Sequence, residues 1–432
     1  MPEFLLRNVQ VIDPQSAYHL QNCDIWVVDE KIVEIAPAFS LSTGNKKVIE
    51  AEGLCVSPGW IDMQVHLSDP GNEAKETLSA TAIAAAKGGF TRIVGYPQTR
   101  PIADNAQVLQ SLQLRSQNLP IHFHFAGTLT HQGAGKEIAD LYEMHSSGAI
   151  AFTDGIFSHP NAGLNLRLRQ YMQPFEGLML CYPSEKTLVA DGQMNEGKSA
   201  VQMGMKGIPE MAESLAVTSE LYLYGYAPTR THFQPISSPE ALKVLTEAKK
   251  KYDKISVGTA VMYIALNDEA LKSYDTHFKV YPPLRAQHQA EQIIAYIQKG
   301  TIDVLTSAHF PQGLEEKETE FEVAEHGMLG LQTAFSLANE VLVQSGKIDL
   351  THLIRLFSQN PRSILKLPPI SIEKQQTAEL TLFIPTEKWV LSAANIPSTA
   401  KNTPFLHQTL TGFVWGIVCK GAFLGHHADL RR

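Results

Sequence analysis

The sequence predicts an α/β fold, a (β/α)₈ TIM-type barrel accompanied by a small β domain. Two observations predict it. The middle of the chain alternates between short apolar runs and helix-like segments, and both ends are rich in β-branched and apolar residues. Alternating strands and helices indicate parallel βαβ units, and about eight such units are typical of a barrel. The 432 residues are enough to bury a large core.

The two ends of the chain contain short strand-like runs separated by turn-forming residues. The first end has "FLLRNVQVID", "CDIWVVDE" and "KIVEIA", and the last has "AELTLFIP" and "GFVWGIVCKGAFL". We therefore expect residues 1–56 and 370–432 to form one small β domain, and residues 57–369 to form the barrel.

Eight strand-like runs follow one another in the middle: "GWIDMQV", "TRIVGYP", "IHFHFAG", "AIAFTDG", "GLMLCYP", "THFQPIS", "ISVGTAV" and "IDVLTSAH". Their continuous apolar character is typical of parallel strands that are buried on both faces. Helices are predicted at 75–89, 238–252 and 287–300, the first of them stopped by Gly88-Gly89.

Composition restricts the compartment and the partners. The formal net charge of −8 argues against a nucleic acid or an anionic membrane as the main partner. The start lacks a signal-peptide pattern, and no apolar run is long enough to cross a bilayer. Four widely spaced cysteines fit a reducing cytosol rather than a disulfide framework or a thiolate zinc site. We expect a cytoplasmic protein with no nucleic-acid or membrane partner. The cysteines are Cys23, Cys55, Cys181 and Cys419.

Active-site residues of a barrel lie at the C-terminal ends of its strands. The first predicted strand ends in "DMQVHLSDPG", where Gln64 and His66 share one face because alternate strand residues point the same way. A carboxamide is a poor zinc ligand, so Gln64 interrupts a His-x-His pair. The residues of the strand ends that keep a metal-binding side chain are Asp62, His66, Asp154 and His309.

Three further features have a structural interpretation beside a functional one. His122 and His124 form a His-x-His pair on a predicted strand, Cys181 is a lone thiol, and residues 313–325 are strongly charged. We expect the histidines and the cysteine to be structural. We expect residues 313–325 to be a surface loop over the barrel mouth.

Several strings together resemble the dihydroorotase family of the amidohydrolase superfamily. They are "PGWIDMQVHLSDPGNEAKETLSATAIAAAKGGFTRIVGYPQTRPIADN", "AFTDGIFS", "DGQMNEG", "GMKGIPEMAE", "VYPPLRAQHQ", "GTIDVLTSAHFP" and "NTPF", and they span nearly the whole chain. The resemblance implies an amidohydrolase-type barrel. It also implies a zinc-dependent interconversion of carbamoyl-aspartate and dihydroorotate in pyrimidine synthesis.

The resemblance also assigns metal-ligand positions, and this chain departs from most of them. The paired histidines of the first strand correspond to Gln64 and His66. Two later ligand histidines correspond to Tyr182 and Pro235, whereas the metal-binding aspartate is retained as Asp154.

The positions implied for the base and the substrate differ as well. The catalytic aspartate corresponds to Ala308, which cannot accept a proton. The arginine that binds the substrate carboxylate corresponds to Ser68, which carries no charge. Two substrate-binding asparagines correspond to Gln98 and Tyr281, and a histidine corresponds to Gln312.

These departures lead us to expect a catalytically inactive homologue, a pseudoenzyme with no cofactor. The resemblance to non-catalytic members implies a homo-oligomer that assembles with the aspartate transcarbamoylase catalytic chain. The alternative is an active amidohydrolase that acts on dihydroorotate or another cyclic amide. Its reduced zinc site would contain His66, Asp154 and His309. A third possibility is a pocket that binds a pyrimidine intermediate as an effector.

Overall fold

The computed structural model describes residues 3–156 and 161–425. In chain order its strands are β1 (Glu3–Val11), β2 (Asn22–Val28), β3 (Lys31–Pro37), β4 (Lys47–Ile49), β5 (Cys55–Pro58), β6 (Trp60–Val65), β7 (Phe90–Gly95), β8 (His122–Gly127), β9 (Ala151–Phe152), β10 (Met179–Cys181), β11 (Met194–Asn195), β12 (Gly207–Ile208), β13 (Thr231–Phe233), β14 (Ile255–Ala260), β15 (Val304–Thr306), β16 (Leu380–Val390), β17 (Thr409–Cys419) and β18 (Ala422–Gly425).

Helices fill the connections between most of the strands. They are α1 (Leu78–Lys87), α2 (Ala106–Ser116), α3 (Leu141–Ser146), α4 (Ala162–Met172), α5 (Lys186–Val189), α6 (Lys198–Met203), α7 (Met211–Tyr226), α8 (Pro239–Lys249), α9 (Met262–Ala265), α10 (Gln287–Gln298), α11 (Leu314–Lys317), α12 (Ala334–Ala338), α13 (Leu350–Phe357) and α14 (Gln359–Ile364). Short 3₁₀ turns and one π-helical turn, Asn339–Gln344, complete the secondary structure.

The barrel consists of eight strands in the order β6-β7-β8-β9-β10-β13-β14-β15, and neighbouring strands pair in parallel. A parallel bridge between Val65 and His309 brings the two ends of this sheet together. The backbone N–H of His66 also donates to the carbonyl of His309 at 2.9 Å. The eight apolar runs of the sequence therefore form a nearly closed barrel, and the predicted fold class is confirmed.

The second sheet contains strands from both ends of the chain. Its order is β18-β17-β16-β5-β1-β2-β3, and β4 pairs with β1. The contact between the two ends is direct, because β16 pairs antiparallel with β5 from Leu380 opposite Pro58 to Phe383 opposite Cys55. The β domain built from both termini is thus part of the fold. The boundaries 1–56, 57–369 and 370–432 stay predictions.

Local sequence signals explain where the predicted helices begin and end. The Thr77 side chain accepts from the Ala80 N–H at the start of α1, and Gly88 and Gly89 end this helix, with Gly89 at φ +90°. The Ser238 side chain caps α8 in the same way, and Pro239 is its first residue. The helices predicted at 75–89, 238–252 and 287–300 are confirmed as α1, α8 and α10.

Trp60 joins the barrel to the β domain. Its side chain is fully buried, and its ring lies against Phe335, Phe357 and Phe383, with centroid distances of 4.9, 5.6 and 5.3 Å. Its indole N–H donates to the Ser57 hydroxyl at 2.9 Å, which satisfies the one polar atom of the ring. Because Phe383 belongs to β16, this cluster gives both units a shared core.

Two expectations about the environment of the chain can be compared with the described residues. All four cysteines are buried and have no disulfide partner. Within residues 3–156 and 161–425, no helix combines the length and the apolar character that a membrane crossing needs.

Candidate functional site

The C-terminal ends of the barrel strands surround a small cavity, which we call the mouth pocket. Its volume is about 20 Å³, room for one or two water molecules. The end of β6, the residues after β15 and the segment from 326 to 328 all contribute to its wall. The polar and aromatic residues that line it are Gln64, His66, Tyr182, Tyr281, Phe310 and His326.

Asp62 lies behind the pocket and holds two strand ends together. One carboxylate oxygen accepts from the Gln64 N–H and the other from the Ser307 N–H, each at 2.9 Å. Burial raises the pKa of Asp62 to about 6, although these hydrogen bonds and the nearby His309 act in the opposite direction. Both oxygens of Asp62 therefore have backbone partners.

Gln64 and His66 both reach the pocket, as their shared strand face predicts. The Gln64 side-chain oxygen accepts from the Thr306 hydroxyl at 3.3 Å. The His66 ring lies parallel to Phe310, with centroids 4.1 Å apart and an interplanar angle of 14°, and Tyr96 approaches from another side. Burial lowers the pKa of His66 to about 3, with a smaller contribution from His309, so its imidazole is uncharged near neutral pH.

The Asp154 side chain binds the backbone of the loop that follows β8. Its Oδ1 accepts from the backbone N–H groups of Leu129 and Thr130 at 2.7 and 3.0 Å, and Oδ2 accepts from the Thr130 hydroxyl. These contacts give the carboxylate a structural role in the loop. Asp154 is not among the residues that line the mouth pocket.

His309 forms a buried pair with Glu76, the residue two positions before α1. The His309 Nδ1 accepts from the Gly330 N–H at 3.2 Å, so its proton is on Nε2, which donates to the Glu76 carboxylate at 3.0 Å. Glu76 also accepts from the Thr81 hydroxyl at 2.7 Å. Sequence reasoning missed Glu76, because its contact crosses 233 positions of the chain.

The later ligand positions of the family hold residues of a different kind. The Tyr182 hydroxyl donates to the carbonyl of Tyr281 at 2.5 Å, and Pro235 follows Gln234 at the end of β13. The neighbouring His232 is fully buried, where its two ring nitrogens contact the Ser256 hydroxyl and the Gln234 side chain. None of these side chains presents a metal-binding atom to the pocket.

The predicted substrate-pocket residues are only partly brought together. Tyr281 lines the pocket, and its hydroxyl hydrogen-bonds to Ser184. Gln312 is tied to Lys75 at 2.7 Å, whereas the buried Ser68 does not reach the pocket. Both side-chain polar atoms of Gln98 are shielded from solvent and have no hydrogen-bond partner.

Position 308 combines a small side chain with an unusual backbone. Ala308 lines the pocket at the position implied for the base, and its methyl group cannot accept a proton. Its φ is +47°, a left-handed conformation that costs an L-residue about 1–2 kcal/mol. Strained backbone of this kind concentrates at functional sites.

A cover segment, residues 313–328, closes the pocket from outside. Lys317 is buried, and its ammonium group donates to the carbonyls of Thr276 and Glu325 at 2.9 and 2.7 Å. Burial lowers the pKa of Lys317 to about 7. The Lys75–Glu316 ion pair, at 2.8 Å, ties the segment to the region before α1. The interpretation of 313–325 as a loop over the mouth agrees with these contacts.

His326 and Phe310 are pocket residues that sequence reasoning missed. The Nε2 atom of His326 is shielded from solvent and has no hydrogen-bond partner, and burial lowers the pKa of this residue to about 3. Its only signal in the sequence was its place at the end of the charged segment "GLEEKETEFEVAEH". Phe310 belongs to "SAHFP" and could have been noticed only as the residue after His309.

The two remaining features of the sequence lie away from the pocket. The His124 Nε2 accepts from the Arg92 guanidinium group at 3.1 Å, and burial lowers the pKa of both His122 and His124. Burial also raises the pKa of the Cys181 thiol well above its ordinary value, which disfavours a reactive thiolate. Their structural interpretation agrees with these environments.

Comparisons with known proteins identify full-length relatives. A family model described as "Dihydro-orotase-like" matches residues 53–241. The dihydroorotase of Syntrophus aciditrophicus is 33% identical over 413 residues, which are 95% of this chain and 96% of that protein. The dihydroorotase of Citrifermentans bemidjiense is 34% identical over 419 residues, 96% of this chain and 98% of that protein. In a solved structure, the L-hydantoinase (dihydropyrimidinase) of Arthrobacter aurescens, 98% of this chain superimposes on 96% of that one with a TM-score of 0.85 and 21% identity.

These findings contradict the expectation of an inactive homologue. The relatives that match along nearly the whole chain are dihydroorotases, so the prediction of a pseudoenzyme rather than an enzyme is wrong. That prediction treated each missing side chain at a strand end as lost chemistry. The absence of those side chains does not exclude that other groups of the same pocket act on a substrate.

The expectation that no cofactor is involved is contradicted for the same reason, since the resemblance implies zinc chemistry for dihydroorotases. The residues nevertheless do not fit the ion. Among the residues that the structure describes, no three His, Cys, Asp or Glu side chains are grouped as a metal requires. Asp62, Asp154 and His309 are each held by other partners. The reduced site expected from His66, Asp154 and His309 is therefore not assembled.

The evidence for family membership is the sequence identity along the whole chain, not the presence of the family's metal ligands. The relatives share about a third of their residues with this protein over more than nine-tenths of both chains. This chain belongs to the dihydroorotase family.

Proposed function

We propose that this protein hydrolyses a cyclic amide of the dihydroorotate type at the mouth pocket. The observation that carries the proposal is the match to dihydroorotases over nearly the full length of the chain. The position of the pocket supports it, because barrel enzymes place their active sites at this end of the strands.

The reaction is a ring opening by water. The water oxygen adds to the ring carbonyl carbon, the bond between that carbon and the ring nitrogen breaks, and the nitrogen takes up a proton. The products are one carboxylate and one open-chain amide or urea group. Two tasks fall to the protein: accepting a proton from water, and holding the carbonyl in position.

His66 and His326 are the proton-accepting groups that line the pocket. Both imidazoles are uncharged near neutral pH, so each has a nitrogen able to accept a proton. Phe310 fixes the plane of His66, and the Nε2 of His326 has no other partner. Their low pKa values make them weak bases, which predicts slow turnover.

The cover segment contributes by excluding water. Two lysines anchor it. Lys317, inside the segment, donates to the carbonyls of Thr276 and Glu325. Lys279, outside the segment, donates to the carbonyl of Phe321 within it. A cavity of about 20 Å³ cannot accept a six-membered ring, so substrate entry requires this segment or Tyr281 to move.

We also propose that the chain forms a homo-oligomer and assembles with the aspartate transcarbamoylase catalytic chain in the cytoplasm. The resemblance to those family members that associate with this partner supports the assembly, and four buried thiols without a disulfide partner support the compartment. Exposed apolar side chains along α7, at Met211, Leu215, Tyr222 and Tyr226, would suit a protein contact. Co-elution of the two purified proteins at a fixed ratio tests this assembly, and separate elution would contradict it.

The activity is tested with the purified full-length chain and three rings: dihydroorotate, dihydrouracil and hydantoin. Ring opening is followed by mass spectrometry, with and without added zinc. The His66→Ala variant, purified in parallel, reveals any contaminating host hydrolase. Ring opening by the native chain but not by this variant is the expected result. Absence of ring opening for all three substrates overturns the proposal.

A further inference from the structure

The mouth pocket carries no charged wall residue. Of the twelve residues lining it in the described part of the chain, none is Asp, Glu, Lys or Arg. Apolar side chains, among them Met262, Val280 and Met328, occupy the space between the polar groups. A ligand in this pocket therefore contacts neutral groups on all the described sides.

Two lysines on segments that border the pocket are already bound to other groups. Lys279, next to the wall residue Val280, directs its ammonium group to the carbonyls of Phe321 and Glu322 at 2.6 and 3.0 Å. Lys317 is likewise surrounded by carbonyl oxygens. Neither ammonium group can meet an anion in the pocket without breaking these hydrogen bonds.

Arg285 is also committed elsewhere. Its guanidinium group is buried, and it donates to Asn195 at 2.9 Å, to Ser237 at 3.0 Å and to Glu213 at 3.3 Å. Separating a buried Arg–Glu pair is strongly destabilising, because it leaves one buried charge unpaired. This guanidinium group is therefore not available to a ligand. The described residues around the pocket thus supply no counter-charge.

The pocket does supply neutral hydrogen-bonding groups and flat surfaces. The Gln64 amide can donate and accept, and the shielded Nε2 of His326 lacks a partner. The rings of Tyr182, Tyr281 and Phe310 provide aromatic faces. A cyclic imide complements these groups, because its edge alternates carbonyl and N–H and its remaining surface is apolar.

We propose that the preferred substrate is an uncharged cyclic amide or imide, not a ring that carries a carboxylate. This inference rests on the proposed function and specifies its substrate class. A carboxylate moved into this pocket would lose water without gaining a cation, which disfavours its binding and its reaction.

Dihydrouracil and dihydroorotate make the matched pair for the test, because they share one ring and differ by a single carboxylate. The kcat/KM for ring opening and the Kd by calorimetry are measured for both on the same full-length preparation. We expect a preference for dihydrouracil of at least about tenfold in each quantity. An equal or reversed preference overturns the inference, yet leaves the proposed hydrolysis standing.

The two failures remain distinguishable. Absence of ring opening for these two compounds and for hydantoin would end the proposed hydrolysis, whereas the calorimetric preference would still decide the substrate class. Absence of binding for both would overturn the inference itself.

A variant that adds one charge gives an independent test. In Met262→Lys an ammonium group enters the pocket wall, and we expect the preference to shift toward dihydroorotate by at least about tenfold. Met262→Leu, the uncharged control, should keep the preference for dihydrouracil. A Met262→Lys protein that folds and keeps the native preference contradicts the inference. If it does not fold, the native pair of substrates remains decisive.

Discussion

The imidazole of His66 lies flat against the ring of Phe310, with 4.1 Å between the centroids. This contact sets the plane of His66, the histidine that stands at a metal-ligand position of the family and lines the mouth pocket. We expect His66→Ala to lower kcat/KM for ring opening at least about 100-fold, since it removes a proton acceptor. Circular dichroism checks that the variant is folded.

The matched control for that variant is His288→Ala, which changes an exposed histidine on α10. It should keep native turnover. Equal activity of His66→Ala and the native chain would show that this imidazole has no part in the reaction.

The Glu76–His309 pair should matter for stability. Glu76→Leu keeps the size of the side chain but leaves the Nε2 of His309 without its acceptor in a buried site. We expect a loss of about 3 kcal/mol in the free energy of unfolding, measured by urea denaturation. The exposed control Glu137→Leu should change it by less than about 0.5 kcal/mol.

Glu379 predicts how stability depends on pH. Burial alone would raise its pKa, but hydrogen bonds and charges from Arg92 and Arg362 lower it to about 2, below the ordinary value of 4.5. A carboxyl group with a depressed folded-state pKa stabilises the protein above pH 4.5, and this contribution is lost as the pH falls toward 2. From the difference in pKa it amounts to about 3 kcal/mol.

The test compares Glu379→Gln with the native chain by urea unfolding between pH 3 and pH 7. The difference should be largest at pH 7 and shrink below about pH 4.5. The exposed substitution Glu315→Gln should show no such trend. A constant difference over this range would contradict the assignment of Glu379 as the titrating group.

The backbone at Ala308 gives a prediction that separates strain from packing. Because φ is +47°, glycine removes the unfavourable conformation, and we expect Ala308→Gly to be unchanged or up to about 1 kcal/mol more stable. Ala260→Gly in β14 should instead lose about 1 kcal/mol. Equal destabilisation of the two variants in urea would argue against strain at 308.

The Lys317 ammonium group should control how tightly the cover segment closes. Lys317→Met removes the donor to three carbonyls, so we expect faster hydrogen exchange across residues 313–328. Lys243→Met, on the exposed face of α8, serves as the control. Unchanged exchange in the segment would show that other contacts hold it.

The fold could be predicted because its signals are local. Each barrel strand is an apolar run, and Thr77, Gly88 and Ser238 mark helix ends by their own chemistry. The lengths of the strands were less predictable, since β9 has only two residues. Strand ends depend on neighbours that lie far away in the sequence.

The site was less predictable, because its key contacts are long-range. The side chains of Gln64, His66 and Tyr182 reach the pocket as strand positions suggest, whereas Glu76 and His326 arrive through tertiary packing. The sequence was also misleading about activity. Missing ligands at Gln64, Tyr182 and Pro235 suggested an inactive chain, and the full-length dihydroorotase relatives contradict that conclusion.

The central claim is that this chain uses water to open a cyclic amide. The most direct measurement is ring opening in ¹⁸O-labelled water by the purified chain, with the metal content of the same sample determined in parallel. The account predicts many turnovers per chain, one ¹⁸O atom in each new carboxylate, and loss of both in His66→Ala. No labelled product from any of the three rings, with or without zinc, would contradict it.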